Sequence, residues 1–345
     1  PTSLAGRRTR PLCDISIAVP TAPPWDALAA YREDAPASKP PDDMSRAPWP
    51  EAPQPRAGWT ACGRHSRPDI SGSATPRPPA CTGVIMSPKL IMWRRETCAV
   101  HCEEAERGEE PMSGETSARI TAFITNLRKA LENAGDPARA EQQRAYLKSE
   151  MAMYGSGVPE TRRLSQKAAA AQADLWVEAT TWEAALRRLW NGAIHREERY
   201  AALAIIRSKL SASHAGRMES LALYEHFLRT GQWWDLVDET SHAVGLVVCQ
   251  HPAAAARMRV WATDPDMWVR RSAIICQLQH KADTDLDLLS GVIEANQENS
   301  EFFIRKAIGW ALRDYARTDG DWVRAFVQAH PGLSPLSRRE ALKHL

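Results

Sequence analysis

Glu301-Phe302-Phe303-Ile304-Arg305-Lys306-Ala307-Ile308-Gly309-Trp310-Ala311-Leu312-Arg313-Asp314-Tyr315-Ala316-Arg317 decides the fold class. Phe303, Ala307, Ile308, Ala311 and Leu312 recur at the three- and four-residue steps of one helix face. Lys306, Trp310, Arg313 and Arg317 follow at steps of four, three and four, so they form a second stripe on the same helix. Two readings of that stripe stand side by side. It is a solvated face with a snorkelling aromatic, or a clamp for a phosphate backbone with a stacking plate. Gly309, in mid-helix, costs about 1 kcal/mol relative to alanine and points to close approach of another backbone.

The same rhythm runs outward from this segment. From Ser117, the residues Ile120, Phe123, Ile124, Leu127 and Leu131 make an apolar stripe that ends at Gly135-Asp136-Pro137. A second helix is expected over 138–153. Further helices are expected over 160–174, 181–191, 196–210, 214–230, 233–247, 250–263, 266–280, 283–296, 300–318, 320–329 and 335–344. No strand-type alternation is present. Helix pairs recurring every 35–45 residues suit HEAT-like units, so the expected fold is all-α, an α-solenoid.

Composition divides the chain of 345 residues. Eighteen of its 24 prolines and five of its seven cysteines lie in residues 1–111, which lack helical periodicity. That stretch reads as a disordered Pro-rich extension. Pro111-Met112-Ser113-Gly114 reads as the start of an ordinary chain, with 1–111 as upstream sequence translated from a start site placed too early; the helical domain is then 112–345. Cys62-x-x-His65 and Cys98-x-x-His101-Cys102 loosely imitate zinc-ligand spacing, but no compact four-ligand scaffold surrounds them, so no metal is expected. Of 44 basic and 42 acidic residues, 14 of each fall in 1–111. The helical part is therefore nearly balanced, and any basic patch must come from uneven layout. Cys249 and Cys276 lie in apolar runs and read as buried thiols of a reducing compartment. No stretch is long enough to span a membrane.

Three further segments carry candidate chemistry. Gly231-Gln232-Trp233-Trp234-Asp235-Leu236-Val237-Asp238 places Trp234 and Asp238 one helical turn apart. Trp233 and Asp235 read as a helix start, with Asp235 at its positive end. A tryptophan plate beside a fixed carboxylate suits a cationic, aromatic or sugar-like group better than it suits a core. In Asp266-Met267-Trp268-Val269-Arg270-Arg271, Arg271 lies one turn after Trp268. It is a fork for phosphate or half of an interhelix salt bridge. Ser334-Pro335-Leu336-Ser337-Arg338-Arg339-Glu340 is a helix start that either receives a phosphate or is simply capped.

Taken together, these segments resemble the DNA alkylation repair enzyme family, the AlkD-like alkylpurine DNA glycosylases. The likeness lies in Trp233-Trp234-Asp235-x-x-Asp238, Trp268-x-x-Arg271, Phe302-Phe303-Ile304-x-Lys306-Ala307-Ile308-Gly309-Trp310-x-Leu312-Arg313-x-Tyr315 and Leu336-Ser337-Arg338-Arg339-Glu340-Ala341. Weaker likeness runs through Tyr146-Leu147-Lys148, Pro159-Glu160-x-Arg162-Arg163, and Leu189-Trp190 with Arg196-Glu197-Glu198. It covers nearly all of 116–345 and none of 1–111.

The resemblance implies a right-handed solenoid cradling duplex DNA, and hydrolysis of the N-glycosidic bond of cationic N3- and N7-alkylated purines. It implies Trp234, Asp238 and Trp310 in the catalytic cleft. It implies a phosphate contact from Arg271. Lys306, Arg313 and Arg317 of the stripe and Ser337, Arg338 and Arg339 of the last helix start are expected as further DNA contacts, with Tyr146 and Lys148 added from the weaker likeness. No cofactor is expected. The expected protein is a cytoplasmic monomer, nucleoid-associated when bound to DNA. Gln279-His280-Lys281 departs from relatives richer in lysine there. The rival expectation is a non-catalytic helical scaffold binding DNA or protein. A bifunctional glycosylase/lyase is a third, with Lys306 as the nearest amine candidate.

Overall fold

The computed structural model describes residues 113–345. Among these residues there are thirteen α-helices, four short 3-10 turns and no strand; Ala152 and His195 form an isolated bridge. The helices are α1 Gly114–Asn133, α2 Pro137–Leu147, α3 Val158–Ala170, α4 Ala179–Asn191, α5 Arg196–Ile206, α6 Leu221–Thr230 and α7 Trp234–Gln250. They continue as α8 Ala254–Trp261, α9 Met267–Ile275, α10 Leu286–Glu294, α11 Phe302–Tyr315, α12 Gly320–Ala329 and α13 Pro335–Ala341. The Pro-rich extension and its cysteine–histidine spacings lie outside the described residues.

The odd-numbered helices pack one on the next, from α1 through α13, while α4, α6, α8, α10 and α12 pack behind them. This is the α-solenoid that the helix rhythm predicts. The row from α5 starts at residues 196, 234, 267, 302 and 335, so its step is 33–38 residues, which runs from inside the expected range to just below it. All five residues of the Ile120 stripe are buried in the core. Large rings fill the space between layers: Trp176, Trp182, Trp190, Trp261, Tyr224, Phe123 and Phe227 are fully buried. Their polar handles are mostly satisfied. The indole N–H groups of Trp176, Trp182 and Trp190 each donate at 2.8 Å, to Ala169 O, Ser211 Oγ and Thr230 Oγ1.

Several helices end earlier than periodicity predicts, each for a local reason. Asp136 caps α2 by accepting from the N–H groups of Ala138 and Arg139. The helix stops at Leu147 because Lys148 takes a left-handed conformation, φ 49°. The turn that follows is held by the buried carboxylate of Glu197, which accepts from Tyr154 N–H at 3.1 Å and Gly155 N–H at 2.7 Å. Helix α9 stops at Ile275 instead of near 280. The side-chain amide of Gln277 donates to Asp285 O and accepts from Asp285 N–H, replacing the backbone ladder. Cys276 is buried, whereas Cys249 is only half-buried, which corrects the expectation of two buried thiols.

Gly309 is explained by helix packing. A Cβ built there would lie 2.4 Å from Glu340 Cβ and 2.9 Å from Ser337 O, so α11 and α13 meet closer than any side chain allows. Gly309→Ala gains helix propensity of about 1 kcal/mol. It also forces apart the two helices. The expected net result is a destabilisation of about 1–3 kcal/mol by overpacking, read in urea denaturation. A stability equal to or above that of the unsubstituted protein would contradict the close approach.

Candidate active site

Helix α7 opens at Trp234, with Trp233 as its N-cap residue and no side-chain cap. Trp233 packs against Trp268 and Phe303, with ring centroids 6.0 and 5.7 Å away. Asp235, in the first turn, is buried and does more than favour the helix end. Its carboxylate accepts from Arg196 Nε at 2.9 Å, from Arg196 Nη2 and from the Tyr200 hydroxyl, so α5 fixes the start of α7. Sequence reading had given Asp235 only the helix-end role.

One turn further, Asp238 is 5 % exposed. Both of its oxygens accept from Arg271 on α9: Nε at 2.7 Å and Nη2 at 2.8 Å. Arg271, 4 % exposed, also donates from Nη1 to Phe303 O on α11 at 2.6 Å. The guanidinium thus bolts three helices of the odd-numbered row together. This is the interhelix salt bridge of the two readings open for Arg271. Burial pushes the Asp238 carboxyl above the ordinary aspartate value, while the Arg271 charge and hydrogen bonds pull it back down.

A cleft of about 170 Å³ lies in front of this pair. Its lining comprises Trp234, Arg271, Phe302, Phe303, Lys306, Trp310, Arg313 and Glu340. Trp234 from α7 and Trp310 from α11 therefore face one space, with Arg271 between that space and Asp238. Trp234 and Trp310 are half-buried against the core, and Phe302 is 41 % exposed. Tyr146, at the end of α2 and 58 % exposed, meets Trp234 edge-to-face at 6.3 Å. Lys148, two residues further along the chain, lines a separate groove of about 830 Å³ with Glu132, Glu141 and Arg144.

The stripe on α11 lies at the boundary of core and solvent. Lys306 and Arg313 both bind Glu340 of α13, Lys306 Nζ at 2.9 Å from Oε1 and Arg313 Nη1 on Oε2. Arg317 is exposed one turn beyond. The α13 start departs from expectation. Ser337 is fully buried, and its hydroxyl donates to Arg305 O at 3.0 Å, so it joins α13 to α11 and is removed from the candidate interface. Ser334 caps the helix by accepting from Ser337 N–H. Arg338 donates to Leu333 O and His330 O, closing the turn before α13, and Arg339 is exposed. Glu340, Phe302, Arg196 and Tyr200 carry no site role in the sequence reading, although Glu340, Phe302 and Arg196 fall in stretches that carry the family likeness. Among the described residues, no group of three or more His, Cys, Asp or Glu side chains is placed to hold a metal ion.

Comparison with known proteins identifies the family. The family model described as DNA alkylation repair enzyme matches residues 127–345. The chain belongs to the DNA alkylation repair enzyme family. It is also similar to a solved structure of a predicted DNA alkylation repair enzyme from Enterococcus faecalis, at 28% identity and a TM-score of 0.55. That match covers 61% of this chain and 96% of the other. No curated protein matches this chain. Among the described residues, no helix is long and apolar enough to cross a membrane.

Breaking a buried ion pair from one side leaves an uncompensated charge and costs about 3–5 kcal/mol. Arg271→Met is expected to lose stability in that range, and Asp238→Asn in the same background to recover part of it. A double-mutant cycle by urea denaturation reads the coupling. Strictly additive losses would contradict the pairing.

Proposed function

We propose that this protein is a monofunctional DNA glycosylase that hydrolyses the N-glycosidic bond of cationic N3- and N7-alkylated purines in duplex DNA. The observation that carries this reading is the carboxylate of Asp238, held one turn from Trp234 and joined through Arg271 to the cleft shared with Trp310. A role in repair of alkylated DNA follows from the family. The reaction and substrate are our reading of the site.

The chemistry asks little of a general acid. An N3- or N7-alkylpurine already carries a positive charge. When the C1′–N9 bond breaks, its electron pair passes to the purine and neutralises it. The deoxyribose becomes cationic as the bond lengthens. Asp238 stabilises that charge electrostatically from behind Arg271. A water oxygen bonds to C1′, its proton leaves to solvent, and free base and an abasic sugar result. Trp234 and Trp310 supply indole faces to the cationic sugar, worth about 0.5–2 kcal/mol each.

Arg271 has two parts in this scheme. It fixes the carboxylate in one rotamer, and its guanidinium lines the cleft where the adjoining phosphate sits. Lys306, Arg313, Arg317 and Arg339 supply further cations to the backbone, and Tyr146 and Lys148 meet the strand from the α2 side. Normal purines are neutral and leave poorly, so discrimination comes largely from the lesion. The rival reading, a scaffold that binds DNA without reacting, has the same cations and uses Asp238 only as the partner that fixes Arg271.

The full chain is expected to release 7-methylguanine or 3-methyladenine from methylated duplex DNA. Asp238→Asn should lower single-turnover release by at least about a hundredfold, the range for loss of one preorganised electrostatic group. Its DNA affinity should stay within a few-fold. Equal release by both proteins would remove the mechanism, and no release by either would favour the scaffold.

The pH profile gives a second test. The reactive form is the carboxylate, so release is full at high pH and falls as pH drops through the Asp238 pKa. That acid limb should lie above the ordinary aspartate value of 3.8, because burial raises it. Arg271→Met removes the opposing cation and should move the limb to still higher pH. A limb unmoved in that variant would show that the titrating group is not Asp238.

A further inference from the structure

The cleft is lined by a carboxylate that the reaction does not use. Glu340 projects from α13 between Lys306 and Arg313, which lie seven residues apart on α11 with Gly309 and Trp310 between them. The absence of a Cβ at Gly309 is what lets Glu340 come so close. Each Glu340 oxygen takes one cation, Lys306 on Oε1 and Arg313 on Oε2. Burial alone would push the Glu340 carboxyl up, but the two cations hold it below the usual carboxylate range. It is therefore ionised at neutral pH. The set of three carries one net positive charge, where the two cations alone would carry two.

A carboxylate held by a lysine ammonium on one oxygen and an arginine N–H on the other meets the donors that a phosphate would take. We infer that Glu340 is an internal stand-in for a DNA phosphate, which keeps Lys306 and Arg313 positioned while limiting the cleft's grip on undamaged backbone. This rests on the proposed DNA-processing reading of the site and adds a specificity determinant to it. Damaged and undamaged duplexes present the same phosphates at this point. A stronger cationic grip would tighten both equally and slow the search for lesions. Glu340 weakens the contact shared by all DNA, so contacts made only by a cationic lesion weigh more in the balance. A backbone phosphate that docks here must share or replace the Glu340 carboxylate, which confines tight engagement to DNA seated fully in the cleft.

The test compares binding of undamaged duplex by the full chain and its Glu340→Gln variant, by fluorescence anisotropy across a salt series. Glutamine keeps the shape and removes the charge. The variant should bind undamaged duplex several-fold tighter at low salt. Its dependence of log K on log salt should be steeper by about one, the contribution of one additional phosphate contact. Glu340→Asp keeps the charge and should stay close to the unsubstituted protein in both respects. Unchanged or weaker binding by Glu340→Gln, or identical behaviour of the two variants, would overturn the inference. If Glu340→Gln unfolds below assay temperature, Lys306→Met decides: the slope should become shallower by about one. An unchanged slope there would overturn it too. Base release by the unsubstituted protein is measured in parallel. Its absence would count against the glycosylase reading and leave the binding comparison intact. Its presence with unaltered binding in Glu340→Gln would count against Glu340 alone.

Discussion

A buried guanidinium that bonds a buried carboxylate sets the terms for this molecule. Arg271 reaches back to Asp238 on the preceding helix of its row and forward to the Phe303 carbonyl on the next. Desolvating two charges costs several kcal/mol per ion, and only good geometry with further hydrogen bonds offsets it. Two parallel bonds to one carboxylate plus a third to a backbone carbonyl meet that demand. The same geometry that makes the pair tolerable leaves Asp238 a single orientation. A group meant to stabilise growing positive charge must be in place before the bond breaks, since reorganisation during the reaction would cancel the gain.

The rest of the row repeats this device at intervals. Arg196 of α5 holds Asp235 of α7, Arg207 at the C-cap of α5 holds Glu239 of α7, Ser241 of α7 meets Ser272 of α9, and Lys306 and Arg313 of α11 hold Glu340 of α13. Each bond joins neighbouring helices of the same row. Apolar packing between the two layers supplies most of the core. The polar bonds along the row fix how one helix is rotated against the next. Trp234 and Trp310 sit on different members, so their relation to one cleft depends on that rotation.

Much of this is legible in the sequence, and what is not has two separate causes. The Ile120 stripe, the α11 faces and the helix count follow from short-range periodicity, which needs no knowledge of neighbours. The reading of Gly309 as a point of close approach follows from the cost of glycine in a helix. Helix ends near 147 and 275 were missed because they are set by Lys148 in a left-handed conformation and by the Gln277–Asp285 exchange. Partners across the row were missed for a different reason. Asp238 and Arg271 are 33 residues apart, Lys306 and Glu340 34, and Arg196 and Asp235 39. These are about one repeat. Once the step is known, a carboxylate and a cation separated by it become candidates for pairing. Ser337 shows the converse: a hydroxyl at a helix start looked available to a phosphate and is spent on Arg305 O.

The central claim is that Asp238 favours positive charge on the deoxyribose. The most direct measurement is the affinity of the protein for two duplexes that differ at one nucleotide: one with a cationic aza-sugar, the other with a neutral tetrahydrofuran of the same shape. The account predicts tighter binding of the cationic sugar, with that preference lost in Asp238→Asn. Equal affinity for the two duplexes, or a preference that survives the substitution, would contradict it.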